Sequence, residues 1–223
     1  EGVPVSELSD ERRMIQETAR RFAMSEVLPV ANALDPVQGD IPMSLREKLA
    51  QMGYFGIMIP EEFGGMGLGC FEYCLVTEEL ARCWMSVASL IARGNGLIGS
   101  SRNMNAAQRE QWLRRMARGD FLGAFSLSEP NAGSDVANIS CRARRDGDHW
   151  VLNGSKYWCT FADGADFIMV LVRTGENVDP ARKHLGISAF LIEKPRGELP
   201  PGVRGHPIPK IGYFGWRTYE LAL

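Results

Sequence analysis

The feature that most constrains this chain is a change in the period of its apolar residues close to Gly123. Before that point they recur at helical spacing. Ser9 is placed to cap a helix whose first turn carries Asp10 and Glu11, which favour the positive end of the helix dipole. Ile15, Ala19 and Phe22 then form one stripe, and Leu45, Leu49 and Met52 form another that follows Pro42 and Ser44 and stops at Gly53. The same spacing predicts helices over 71–82, 85–93 and 106–118, the last with Trp112, Leu113 and Met116 on one side and Gly119 at its end.

After Gly123 the period becomes two. An apolar strand is expected at Phe121 to Phe125, and Ile139, Cys141 and Ala143 alternate with polar neighbours. Asp146-Gly147-Asp148 predicts a turn into a strand at Trp150-Val151-Leu152, and Asn153-Gly154 predicts a type I′ hairpin into the next. Phe167 to Val172, Ile187 to Ile192 and Tyr219 to Leu223 have strand length. No strand–helix alternation of the kind that builds a Rossmann sheet is present. The expected fold is α+β with two domains: an all-α domain over 1–122, then a mostly antiparallel β-barrel or sandwich over 123–223. The second is expected to continue past Leu223, because strand-forming residues run to the last position without a turn or polar tail.

Composition narrows the functional classes. A net charge of -2 carries no basic footprint for nucleic acid, and no apolar run reaches the roughly 20 residues of a membrane span. The opening Glu1-Gly2-Val3-Pro4 has neither the charged nor the apolar region of a secretion signal. The five cysteines, Cys70, Cys74, Cys83, Cys141 and Cys159, form no CxxC pair and have no nearby histidine, so free thiols are expected and no metal site.

Three segments could carry chemistry. Gly64, Gly65, Gly67 and Gly69 miss the third glycine of a dinucleotide loop and read as a structural turn between helices. Leu127-Ser128-Glu129-Pro130-Asn131-Ala132-Gly133-Ser134-Asp135 packs hydroxyls, glycine and carboxylates behind a strand. Such a loop is either ordinary connection or a surface of N–H and O–H groups turned toward an anion or a heteroaromatic edge. In Lys156-Tyr157-Trp158-Cys159-Thr160, strict alternation puts Tyr157 and Cys159 on one face and Trp158 and Thr160 on the other. A tryptophan beside a hydroxyl can flank an aromatic cofactor, or simply fill a core.

Taken together, these segments resemble the acyl-CoA dehydrogenase family. Ser128-Glu129-Pro130 followed by Gly133-Ser134-Asp135 is similar to its flavin signature, and Asn153-Gly154-Ser155-Lys156-Tyr157-Trp158-Cys159-Thr160 to its Asn-Gly-x-Lys-x-Trp-x-Thr segment. Pro60 to Gly67 resembles its Pro-Glu-x-x-Gly-Gly-x-Gly element, and Lys210-Ile211-Gly212, with Thr218 and Glu220, its Lys-x-Gly strand entry. The resemblance runs from about Leu8 to Leu223 in the right order. It implies a helical domain and a middle β domain, with the family's C-terminal four-helix bundle absent from this chain.

The resemblance also implies FAD as cofactor and α,β-dehydrogenation of an acyl-CoA or acyl-carrier thioester, as in fatty acid metabolism. Phe125, Leu127 and Ser128 would contact the flavin ring; Trp158 would flank it, and Thr160 would bond near its reactive nitrogen. Gly133 and Ser134 would lie near the phosphates, with Ser134 also at the thioester entrance. Phe125 stands where a tyrosine is frequent and Ser128 where threonine is commoner; Trp216 and Arg217 replace a frequent Ser and Asp and receive no substrate role. No catalytic base is assigned within residues 1–223, since Glu129 belongs to the loop and is expected to hold its backbone. An electron-transfer flavoprotein as acceptor, a homo-oligomer (dimer or tetramer), and a cytoplasmic or mitochondrial-matrix location are further implications. Two rivals remain at this level: the same fold acting as a flavin oxidase or monooxygenase, separable by oxygen consumption, and a colourless acyl-CoA- or protein-binding module without flavin.

Overall fold

The computed structural model describes residues 8–96, 98–175 and 178–223; the Glu1–Pro4 opening lies outside them. The chain divides into two compact units: one runs to Phe121 and takes in Gly212–Gly215, and the other holds Leu122–Ile211 and Trp216–Leu223.

The first unit is helical. Helix α1 (Asp10–Phe22) starts at Ser9, whose hydroxyl accepts from the Arg12 N–H, as its sequence predicts. A π-turn over Ala23–Val27 carries it into α2 (Leu28–Leu34). Of the expected stripe only Ala19 is fully buried; Ile15 and Phe22 are half-buried, and the core continues through Ala23 and Val27 instead. α3 (Met43–Gln51) buries Leu45 and Leu49 and ends at Gly53, in the left-handed region at φ 73°. The two helices expected over 71–93 form one element, α4 (Cys70–Asn95), broken at Trp84 by extended backbone. The break turns the Trp84 indole N–H onto Asp35 Oδ1 at 2.9 Å. α5 (Ala106–Ala117) is capped by Asn105 and buries Leu113 and Met116.

Polar side chains pin these helices where water is excluded. Asn95 is fully buried, donates to the Tyr54 and Ile91 carbonyls at 2.8 and 2.9 Å, and accepts from the Met58 N–H. Glu79, 2% exposed, takes a two-point bond from Arg20 of α1. The glycine-rich turn is structural. The N–H groups of Gly65, Met66, Gly67 and Leu68 donate inward to the carbonyls of Pro60, Gly56, Ile59 and Ile57, which leaves none of the four turned toward a phosphate. A Cβ on Gly65 would stand 2.0 Å from the Ile59 oxygen.

The second unit holds two sheets. β1 (Gly123–Ser126) pairs in parallel with β5 (Phe167–Arg173), whose other edge pairs antiparallel with β6 (Ile187–Glu193). β2 (Arg142–Asp146) pairs antiparallel with β3 (His149–Asn153) and meets β5 in parallel only at Arg142↔Arg173. The smaller sheet has the order β4 (Ser155–Thr160), β8 (Thr218–Ala222), β7 (Arg204–Pro207), all antiparallel. One hydrophobic cluster draws on both sheets, from Ile168, Val170 and Val172 to Cys159, Tyr219 and Leu221. Most pairings are antiparallel, and no closed barrel forms among the described strands.

Two local expectations fail. β2 begins at Arg142, so Ile139 and Cys141 precede the strand, although their alternating burial persists. Asn153-Gly154 makes no hairpin, because β3 and β4 belong to different sheets and the chain crosses between them at Gly154. There the Gly154 N–H and C=O exchange bonds with Leu223 at 3.3 and 2.9 Å, and a Cβ would lie 2.8 Å from the Cys141 Cα. Glycine serves at this position for close approach rather than for a tight turn. Gly154→Ala should cost about 2–3 kcal/mol in urea denaturation, whereas Gly212→Ala, which meets no atom within 4 Å, should change stability by less than about 1 kcal/mol.

Candidate functional site

The two segments singled out by sequence meet in the second unit. β1 carries Phe125 and Ser126 and hands over to Leu127 and Ser128. β4 brings Tyr157 beside them, and its N–H donates to the Ser128 carbonyl at 2.8 Å. Beyond this junction Glu129 and Ala132 exchange both backbone bonds, which closes a tight turn over Pro130 and Asn131 and delivers Gly133 and Ser134 to an exposed loop.

A buried ion pair holds the junction. Lys156 has no exposed surface, and its Nζ donates to Glu129 Oε1 and to the Leu127 carbonyl, both at 2.9 Å. Glu129, 7% exposed, also accepts from the Ser140 N–H and hydroxyl at 2.6 and 2.8 Å and from the Cys141 N–H at 2.9 Å. Burial alone would raise the Glu129 pKa. The Ser140 N–H, the Lys156 ammonium, the Cys141 N–H and the Ser140 hydroxyl outweigh it, so the carboxyl titrates below the ordinary glutamate range. The carboxylate thus ties the turn at Glu129 to the backbone of Ser140 and Cys141, ahead of β2.

The expected alternation of β4 is corrected. Trp158 has φ 62°, and the pairing with β8 shifts register between Lys156 and Cys159. This β-bulge buries Lys156 and Cys159, three residues apart, and leaves Trp158 56% exposed. Phe161 follows at φ 69°. A bulky residue held at positive φ costs on the order of 1–3 kcal/mol and persists only where the surroundings over-determine it. Thr160, half-buried between the two, shares a hydrogen bond of 3.1 Å with Thr218 of β8. Phe125, 45% exposed, offers a second aromatic surface, and the fully buried Ser126 hydroxyl has no hydrogen-bond partner.

Phe125, Leu127, Ser128, Trp158 and Thr160 are therefore carried on two segments joined by the Tyr157 N–H to Ser128 carbonyl bond and by the Lys156 bonds to Leu127 and Glu129, with Gly133 and Ser134 on the adjoining loop. Residues 9–120 match the acyl-CoA dehydrogenase N-terminal domain and residues 124–223 the acyl-CoA dehydrogenase middle domain. The chain belongs to the acyl-CoA dehydrogenase family. It is 39% identical over 226 residues to (2S)-methylsuccinyl-CoA dehydrogenase of Cereibacter sphaeroides, covering 97% of this chain and 40% of that protein. It is 36% identical over 222 residues to mitochondrial isovaleryl-CoA dehydrogenase of Pongo abelii, covering 97% and 51%. A glutaryl-CoA dehydrogenase of Mycobacterium smegmatis, solved in complex with FADH2, superposes with a TM-score of 0.83 at 28% identity, covering 97% of this chain and 53% of that one. The chain thus spans about half the length of the relatives it matches, or less.

Acyl-CoA dehydrogenase family members use FAD, and the residues present suit a flat ring with polar edges. Aromatic surface is exposed at Phe125 and Trp158, and the Glu129 carboxylate next to Ser128 is neutralised by Lys156. Among the described residues no cluster could hold a metal, all five cysteines are free, and no helix is long and apolar enough to cross a membrane. Sequence reasoning gave no role at this site to Lys156 or Thr218, although both stand in the motifs that carry the resemblance.

Lys156→Met strands a buried carboxylate and should cost about 3–5 kcal/mol in urea denaturation, with Glu129→Gln in the same chain, which removes the charge and keeps an acceptor for the Ser140 and Cys141 amides, restoring part of the loss. The pH dependence follows from the lowered Glu129 pKa. Its contribution is complete above the ordinary glutamate value of about 4.3 and is lost as pH falls through the lower folded-state value. In acid titrations followed by circular dichroism, Glu129→Gln should lack this component.

Proposed function

We propose that this chain is the flavin- and thioester-binding portion of an FAD-dependent acyl-CoA dehydrogenase, with residues 1–122 and 123–223 as its two domains. The observation that carries this reading is the Tyr157 N–H to Ser128 carbonyl bond, which joins the two signature segments beside an exposed, strained Trp158. A bulky residue held in the open at positive φ belongs to the backbone strain that clusters at active sites and ligand clamps.

FAD, when bound, supplies the acceptor for the hydride leaving the β carbon of the acyl thioester. Phe125, Leu127 and Ser128 bind the ring, with the Ser128 hydroxyl on its polar edge. Trp158 covers the ring. The Thr160 hydroxyl, oriented by Thr218, donates or accepts at the adjoining nitrogen. Gly133 and Ser134 take the phosphates, where a glycine without a Cβ lets the backbone approach, and Ser134 also meets the thioester at the entrance. The α proton needs a carboxylate, and Glu129 is unsuited because it is buried, ion-paired and held in its charged form by four donors. No base is assigned in this chain. An electron-transfer flavoprotein as acceptor, a homo-oligomeric assembly and a place in the cytoplasm or mitochondrial matrix belong to the same proposal.

Expression of the full open reading frame should give a yellow protein that reduces an artificial electron acceptor with an acyl-CoA. A colourless product would sink the flavin assignment, and rapid oxygen consumption after reduction would favour an oxidase. In that protein Ser128→Ala and Trp158→Ala should each weaken FAD binding by roughly tenfold, measured by flavin fluorescence titration.

A further inference from the structure

The five free cysteines differ in their surroundings. Cys141 and Cys159 are buried in the core of the second unit, and burial raises the Cys141 pKa. Cys83 is half-buried with its thiol 3.8 Å from the Met24 sulfur, and burial, with the neighbouring Glu79 charge, raises its pKa as well. Thiols so placed are inert. Cys70 and Cys74 are exposed, and both lie at the start of α4. Residues four apart share one face of a helix, and their side chains lean the same way, toward its N-terminus. The two accessible thiols therefore stand together.

The turn that carries them is held from several sides. The Gly69 N–H donates to Glu72 Oε2 at 3.1 Å, and the Gly69 carbonyl accepts from the Tyr73 N–H at 3.1 Å. Glu72 Oε1 receives Arg12 Nε of α1 at 2.7 Å, and the Arg12 guanidinium lies 4.3 Å from the centre of the Phe71 ring. Leu75 and Val76 are buried on the inner face. The Cys70 thiol donates to the Met58 thioether at 3.8 Å, which puts a third soft, polarisable sulfur beside the pair. The spacing of Cys70 and Cys74 is thus fixed before any ligand arrives, which lowers the ordering cost of binding.

That spacing selects the ligand. Cβ atoms four residues apart on a helix are about 5–6 Å from each other, whereas a disulfide holds them at about 3.5–4.5 Å. A direct disulfide would pull the turn out of helical form, while one atom inserted between the sulfurs spans the gap with the helix intact. We propose that Cys70 and Cys74 form a dithiol site for trivalent arsenicals, soft electrophiles that take two thiols onto one atom. Each thiol displaces one hydroxyl of an arsonous acid and releases a water. Two S–H and two As–O bonds break, and two As–S and two O–H bonds form. Arsenic stays trivalent and sulfur keeps its oxidation state, so no oxidant is needed. The proposal does not depend on the flavin reading.

The test is titration of the reduced chain with phenylarsine oxide, which hydrates to the arsonous acid, read by intact-mass spectrometry and by the thiols left open to alkylation. One arsenical should bind per chain and close two thiols. Dithiothreitol should release it at concentrations where the monothiol glutathione leaves it in place. Cys70→Ser and Cys74→Ser should each weaken binding by roughly a hundredfold or more, because the second thiol is no longer presented at high effective concentration. Cys83→Ser should leave binding unchanged, and the adduct should keep its helical circular dichroism. Binding unaltered in either of the first two variants, an adduct that peptide mapping places on Cys83, Cys141 or Cys159, or loss of helix on binding would overturn the site. A Cys70–Cys74 disulfide formed in the native chain by oxidised glutathione would overturn the spacing argument. Both side chains are exposed, so the variants should fold. Native far-ultraviolet circular dichroism checks this, and for a misfolded variant peptide mapping of the wild-type adduct decides instead.

Discussion

A carboxylate and an ammonium removed from water must find each other and satisfy their remaining bonds, or the surrounding backbone will not stay closed around them. Glu129 and Lys156 meet that condition with the Leu127 carbonyl and the Ser140 and Cys141 amides. The partners come from three stretches: the end of β1, the approach to β2, and β4. The pair therefore does more than join two strands. It sets where Leu127 and Ser128 stand relative to Tyr157, and so fixes the two segments that carry the candidate flavin contacts. Its geometry also explains why a glutamate inside a signature loop is not available as a base.

Two backbone features complete this arrangement. The chain crosses from one sheet to the other at Gly154, where Cys141 leaves no room for a Cβ. Four residues later a bulge turns Trp158 outward. Regular alternation without that bulge would place Lys156, Trp158 and Thr160 on one face, which would bury the indole with the lysine or expose the lysine with the indole. The bulge lets one short strand bury a charge and present an aromatic ring. The cost is positive φ at Trp158, compensated by the surrounding pairing with β8.

Much of this was legible in the residues. Ser9 followed by Asp10 and Glu11 marked a helix start that the structure contains, because capping is a local interaction. The expected gap between Arg82 and Met85 corresponds to the break at Trp84. Ser128 to Ser134 and Trp158 to Thr160 stood out by residue type, although their juxtaposition did not. The failures share a cause. Asn153-Gly154 is a good hairpin turn by local preference, yet whether β3 and β4 pair depends on β8, some sixty residues away in sequence. Thr218 stood in a motif, yet its bond to Thr160 was not legible, because a hydroxyl acquires a role only from what surrounds it.

The sequence by itself determined the order of a helical part and a β part, the position of most elements, and the family. Those follow from periodicity and short motifs, which act over a few residues. Only the tertiary structure decided that Gly212–Gly215 packs with the helices, through Ser86 with the Phe214 carbonyl, Ser89 with Tyr213, and the Ile41 N–H with the Gly215 carbonyl. It likewise decided that Lys156 is buried and paired, and that Arg142 stands beside Arg173. Each is a contact between residues far apart in the chain. Such contacts form where burial and hydrogen bonding outweigh the entropy of closing a long loop, a balance that no local pattern records.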